Sequence, residues 1–177
     1  MTTTNNETVP ALYCGTYAKY NNGSINGKWL KLGDYADATE FWTACEQLHA
    51  DESDPEFMFQ DFEGFPKSLY NESMNTPDIE KIIEYAKLDE DDRTLVDEYE
   101  DAMGSLPDDL ETARDSYETE LESFNHEREY GEYVVEQGLF EVDMNSPIAT
   151  YIDYESLGRD CLMDCSVSSN GYVFRDN

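Results

Sequence analysis

The sequence predicts an α+β fold built as a row of small, strongly acidic lobes. Three observations carry this. The 177 residues hold 41 Asp and Glu against 11 Lys and Arg, a formal net charge of −30. Alternating and 3.6-period apolar patterns follow one another along the chain, separated by Asn-Gly and Pro punctuation. Each helical stripe is only two or three turns long, too thin to enclose one large core. An elongated row of lobes also spreads the charge and lowers self-repulsion.

The charge is unevenly placed. Residues 1–50 carry −2, residues 51–145 carry −25 and residues 146–177 carry −3. A mean hydropathy of −0.72 raises disorder as an alternative. Against it, 39% of the chain is hydrophobic, with 13 Tyr, 8 Phe and 2 Trp. The acids are interleaved with these residues at regular spacing, as in a folded chain with solvated faces. Disorder is expected only over about residues 1–10, which are rich in Thr and Asn.

The first segment, residues 1–70, reads as a small α+β unit. Residues 11–17 form a strand, Asn21-Asn22-Gly23 and Asn26-Gly27 supply turns, and residues 28–32 return as a second strand. Residues 37–49 form a helix with Asp37 as N-cap and Phe41, Trp42, Ala44, Cys45 and Leu48 on one face. Residues 57–62 make a further strand, closed by Gly64 and Pro66.

The second segment, residues 71–105, reads as helical. Thr76 is placed as N-cap with Pro77 at the first helical position, followed by Ile79, Ile82, Ile83 and Ala86 on one face. Residues 89–103 form another helix, with Leu95, Val96, Tyr99 and Met103 inside and Gly104 beyond its end. A further helical turn is expected near Ser105-Leu106-Pro107.

The third segment, residues 106–177, mixes both element types. Residues 118–124 fit either a helix face, with Leu110, Ala113, Tyr117, Leu121 and Phe124, or an alternating strand. Asn125 caps a helix that runs to Gln137 and ends at Gly138. Ser146-Pro147 starts another through Tyr151 and Ile152. Residues 165–174 form a hairpin turning at Asn170-Gly171.

Catalytic material is scarce. Cys45 and His49 stand at i, i+4 without further ligands nearby, and Cys45 lies on the apolar face, so both read as structural. Cys161 and Cys165 read as core residues. The four cysteines are spread too widely for a disulfide framework, and with no membrane-length apolar run or signal segment the chain reads as reduced, soluble and cytoplasmic. Residues 23–28 have the wrong spacing for a phosphate loop. Residues 89–93 lack the central Gly and the closing Glu of a calcium loop. No catalytic residue, cofactor or metal site is expected, and the protein reads as a non-enzyme.

Such a chain is repelled by nucleic acid and by anionic membranes; its natural partner is something that binds polyanions. The −25 of residues 51–145 matches about 43 Å of duplex, at one phosphate charge per ~1.7 Å of axis. Mimicry of DNA is one reading of that match. A salt-adapted or cation-buffering soluble protein without a specific DNA-enzyme partner is the alternative.

Three stretches bear on the choice. Tyr13-Cys14-Gly15-Thr16-Tyr17-Ala18-Lys19-Tyr20-Asn21-Asn22-Gly23, then Gly27-Lys28-Trp29, resembles the opening of the ArdA antirestriction family. Phe59-Gln60-Asp61-Phe62-Glu63-Gly64-Phe65-Pro66 is similar to its next block. Glu136-Gln137-Gly138-Leu139-Phe140-Glu141-Val142, Tyr151-Ile152-Asp153-Tyr154-Glu155 and Gly158-Arg159-Asp160 resemble its C-terminal portion. The matches keep their order from Tyr13 to Phe174, and residues 75–125 match mainly in acidity and helical pattern. The resemblance implies a protein of mobile elements that binds type I restriction–modification enzymes in place of DNA. It also implies three small domains in a row, with dimerisation through the C-terminal one, and favours the strand for residues 118–124.

On that reading the phosphate-mimicking acids are Asp89, Glu90, Asp91, Asp97, Glu98, Glu100, Asp101, Asp108, Asp109 and Glu111. Asp51, Glu52, Asp54, Glu56, Asp61 and Glu63 form a second set. Leu139, Phe140, Ile148 and Tyr151 are the candidate dimer contacts.

Overall fold

The computed structural model describes residues 8–141 and 143–176. The disorder expected for residues 1–10 therefore falls mostly outside the described residues. The chain divides into two compact units, residues 1–89 and 90–177.

The first unit is built on strand β1 (Ala11–Thr16), the centre of an antiparallel sheet ordered β2-β1-β3, with β2 at Lys28–Lys31 and β3 at Phe57–Glu63. Five of the six β1 residues are buried, as befits a central strand flanked by β2 and β3. Residue 17, expected to belong to this strand, instead opens a short helix, α1 (Tyr17–Asn21). Thr16 is the reason: its hydroxyl accepts the Lys19 N–H at 3.2 Å and turns the chain as an N-cap.

Helix α2 (Ala38–Leu48) starts where Asp37 accepts the Glu40 N–H at 3.0 Å, as the sequence led us to expect. Its buried face, Ala38, Phe41 and Cys45, lies against the sheet. Phe41 meets Phe59 at 5.9 Å, and Trp42 stacks on Phe57 at 5.8 Å. Leu12, Leu32, Phe41 and Phe59 anchor this core.

Helix α3 (Thr76–Lys87) is capped one residue earlier than expected. Asn75, not Thr76, accepts the Asp78 N–H at 3.1 Å, and Asp78 reciprocates by accepting the Asn75 N–H at 2.9 Å. The box satisfies two otherwise orphaned N–H groups, which Thr76 at the first helical position cannot do. Ile79, Ile82 and Ile83 are buried on the apolar stripe. The Lys87 ammonium closes the far end by donating to the Ala36 carbonyl at 2.6 Å.

The second unit holds α4 (Glu90–Met103), α5 (Glu111–Ser116), β4 (Tyr117–Glu120), α6 (His126–Glu136), α7 (Tyr154–Cys161), β5 (Cys165–Val167) and β6 (Tyr172–Arg175). Its sheet is antiparallel with order β4-β6-β5. Thus α3 and α4, both within residues 71–105, fall in different units.

No helical turn forms at Ser105–Pro107. The chain bends there, and α5 begins only after Asp109 accepts the Glu111 N–H at 3.0 Å. The ambiguous stretch divides: helix up to Ser116, then strand. The strand favoured by resemblance ends at Glu120, because Leu121 turns into the core while Phe124 stands fully in solvent. Asn125 caps α6 as expected. The helix expected from Ser146 is one of 3-10 type, Pro147–Tyr151. The hairpin turns at Gly171, whose φ of 94° is open to glycine.

Leu121, Tyr130, Val134 and Val173 form one core cluster of this unit, bordered by Cys161, Cys165 and Leu157. On the other side of β6, Tyr99 of α4 meets Phe174 edge-on at 5.4 Å. Helix α7 escaped the sequence reading; its signal was Asp153, which accepts the Ser156 N–H at 3.1 Å as an N-cap.

Candidate functional site

Thirteen of the sixteen candidate acids are exposed; Glu52, Glu98 and Glu100 are half-buried. How they are held differs from place to place.

An acidic run folds as a helix in α4 because of where the acids sit. Glu90, Asp91 and Asp92 occupy its first turn, where unsatisfied N–H groups and the helix dipole favour negative charge. Asp92 is further paired with Arg114 of α5. This explains why residues 89–93, which have some calcium-loop composition, form no loop.

Two α4 acids do a different job. Asp101 accepts the Ser169 N–H at 2.5 Å, and Glu98 accepts from the Asn170 amide at 2.7 Å. One turn of α4 thus latches the β5–β6 hairpin. The Ser169 backbone N–H holds the Asp101 carboxyl below the usual carboxylate range. The second oxygen of Glu98 is buried. Of the other candidates of this unit, Glu100 is half-buried while Glu90, Asp91, Asp97, Asp108, Asp109 and Glu111 are exposed, as is Asp89 at the end of the first unit.

In the first unit, Asp51, Glu52, Asp54 and Glu56 lie on the loop between α2 and β3, while Asp61 and Glu63 alternate on β3 with half-buried Phe62. Glu46, Glu52, Asp54 and Phe57 line a concavity of about 340 Å³. Beside it, His49, Asp51 and Glu52 form the one group among the described residues with metal-ligand spacing. Lys19 already occupies its centre. The ammonium lies 2.8 Å from His49 Nδ1, 2.8 Å from Asp51 and 3.2 Å from Glu52.

An ammonium has no acceptor, so it donates to His49 Nδ1. The ring's Nε2–H then points at the Cys14 carbonyl, 3.3 Å away. The hydrogen bond to Asp51 holds the Lys19 pKa up, against the opposing effect of burial, and Lys19 holds Asp51 down. Thr16 donates to Glu52 at 2.7 Å and completes the cluster. The Cys45–His49 pair suggested by spacing is not made. The Cys45 thiol meets Cys14, and that contact together with burial pushes it well above the usual thiol range. All four cysteines are free thiols.

No local pattern marks the Lys19 cluster or the hairpin latch, because their partners are 30 to 72 residues apart. Only the charge balance hinted at them, since each basic residue in so acidic a chain has many possible acids.

The four dimer candidates are exposed in the second unit: Leu139 at 55%, Phe140 at 40%, Ile148 at 75% and Tyr151 at 86%. Met144, between them in sequence, is also exposed. Among the described residues no helix is long and apolar enough to cross a membrane.

No curated protein matches the chain. The family model described as antirestriction protein (ArdA) matches residues 12–174, nearly the whole length, and the protein therefore belongs to the ArdA antirestriction family.

Proposed function

We propose that the protein inhibits type I restriction–modification enzymes by standing in for duplex DNA in their DNA-binding groove, so protecting incoming mobile-element DNA. The observation that carries this is the −25 of residues 51–145, displayed largely on exposed carboxylates. Carboxylates take the place of phosphates against the enzyme's Lys and Arg. Phosphate contacts position a protein on DNA, whereas base edges specify sequence. A mimic without base edges therefore inhibits enzymes of different recognition sequence, and it offers no phosphodiester to cut.

The same reading assigns three lobes, residues 1–70, 71–105 and 106–177, and a cytoplasmic homodimer joined through residues 138–154. The exposure of Leu139, Phe140, Ile148 and Tyr151 supports that joint. No catalytic residue or cofactor is assigned.

The test is a gel-shift competition. The purified protein is titrated into a type I methyltransferase–DNA complex across a range of salt concentrations. Displacement that weakens steeply with salt is expected, because many charge pairs are made at once. A salt-independent displacement, or none at low salt, defeats the proposal.

A further inference from the structure

The two edges of the first unit's sheet are treated differently. On β3 the outward backbone groups of Phe59 are both taken: its N–H donates to the Glu72 carbonyl at 3.0 Å, and the Tyr70 hydroxyl donates to its carbonyl at 2.7 Å. On β2 no partner for the outward backbone groups occurs among the described residues. The Leu32 N–H donates to the Pro10 carbonyl at 2.9 Å, and β1 and β2 pair Leu12 with Leu30 and Cys14 with Lys28. Antiparallel ladders alternate, so the N–H and C=O of Trp29 and Lys31 point away from β1, toward solvent.

Lys28 and Lys31 sit at the two ends of this edge, both exposed. Neither forms an ion pair among the described residues, in a chain of net charge −30. Leu30 faces the core, so Trp29 and Lys31 share the opposite face. The Trp29 ring, 37% exposed, is fixed edge-on against Tyr13 at 5.5 Å, and the Tyr13 hydroxyl donates to the Ile25 carbonyl at 3.0 Å.

We propose that the β2 edge is a docking site for an extended acidic segment of a partner polypeptide, which adds as a fourth strand. Open backbone groups supply affinity, as in other strand additions. An acidic side chain opposite Lys31 and an apolar one beside Trp29 supply selectivity. Charge decides the occupant. Two copies of β2 paired antiparallel bring lysine against lysine, which disfavours a second copy of this chain. Asp61 and Glu63 of the second acid set share this sheet face, two strands away across Tyr13 and Ala11, so peptide binding is read directly and not through inhibition.

The probe is a fluorescein-labelled, end-blocked peptide of alternating Glu and Val, titrated with the full chain at about 0.15 M ionic strength, where a screening length of about 8 Å damps repulsion from the rest of the chain and leaves contact with the two lysines. Saturable binding is expected, with backbone amide shifts at Trp29 and Lys31 in NMR. Lys28→Glu with Lys31→Glu weakens it about tenfold or more, the size expected when two cross-strand charge pairs turn repulsive. A peptide N-methylated at the amides that would face β2 does not bind, a control that needs no protein variant. The proposal is overturned by equal binding of the N-methylated peptide, by equal binding of a Lys-Val peptide, or by no binding. A change of oligomeric state in the double variant also overturns it, since the edge then belongs to a second copy.

Discussion

Gly131 of α6 and Gly158 of α7 face each other where the two helices cross. A Cβ added at Gly131 would run into the Tyr154 carbonyl, and one added at Gly158 into the Glu127 carbonyl; each would also lie close to the other glycine's N–H. The backbones therefore touch without side chains between them. This lets the two short helices approach closely enough for Tyr130 and Val134 of α6 and Leu157 and Cys161 of α7 to join one core cluster.

Alanine at either position must push the helices apart. Gly131→Ala and Gly158→Ala should each destabilise the protein by about 2–3 kcal/mol, the upper range for overpacking a tight site. The double variant should cost much less than the sum, because one displacement relieves both collisions. Urea unfolding checks this. Gly33→Ala, where the nearest atom is 3.8 Å from the added carbon, is the neutral control. Additive losses would show that the two glycines do not share one contact.

Acid stability follows from four carboxyls held low. Asp101 is held by the Ser169 N–H, Asp153 by the Ser156 hydroxyl and N–H, and Asp51 by Lys19. Burial pushes Glu129 up, but the N–H groups of Ser123 and Glu122 outweigh it and leave it lowered. Each prefers to be ionised in the folded state. Its stabilisation is present above the unfolded value of about 4 and is lost as pH falls through the depressed folded value. General protonation of the acidic surface acts oppositely by relieving repulsion. The variant difference isolates the effect: Asp101→Asn should be less stable than wild type at pH 7 and converge with it toward pH 3. A pH-independent gap in urea midpoint would mean that Asp101 does not act through its charge.

Local chemistry was readable in the sequence and distant chemistry was not. Asp37 and Asn125 announced their helices because a cap bonds only three residues away. The Asn170-Gly171 hairpin did so because its turn needs glycine. Thr76 was a plausible cap, and only the reciprocal bonds of Asn75 and Asp78 exclude it. Helix α7 was hidden because it carries a glycine at its crossing point, where a helix pattern would place a larger apolar residue. Likewise, exposure of the α4 acids followed from helical periodicity, but nothing local marks Glu98 and Asp101 as tied to a hairpin some 70 residues later.

That division predicts two kinds of acid variant. Neutralising Asp91, Asp109 or Glu111 singly to the amide should change inhibition less than about fivefold, since each exposed pair is worth under about 1 kcal/mol. Losses should accumulate as the changes are combined. Glu98→Gln and Asp101→Asn should instead lower the melting temperature, and any loss of inhibition should track unfolding. A dose–response assay beside a melting curve separates the two. One exposed-acid change that abolishes inhibition in a folded protein would indicate a discrete site rather than a summed charge.

The proposed dimer rests on exposed apolar residues of one segment. Ile148→Ser with Tyr151→Ser should shift the protein toward monomer in sedimentation while leaving its melting curve nearly unchanged, because both side chains are mostly in solvent in the single chain. An unchanged mass, in a protein shown to be dimeric, would place the joint elsewhere.

Lys19 offers the last test. Its ammonium neutralises a cage of His49, Asp51 and Glu52 whose ligand atoms lie within 4.8 Å of one another. Lys19→Met removes the cation and leaves two carboxylates beside a buried imidazole. We expect a melting temperature lower by roughly 5 °C, because the cage loses its compensating charge and α1 loses its tie to the α2–β3 loop. We also expect the variant, unlike wild type, to bind zinc or nickel with one-to-one stoichiometry and to recover stability on doing so, since imidazole and carboxylate suit those ions. Calorimetry with each metal reads both effects. Metal binding by the wild-type protein at this site would show that Lys19 does not hold the position of the ion, and recovery of the variant without metal would show that the cage needs no cation.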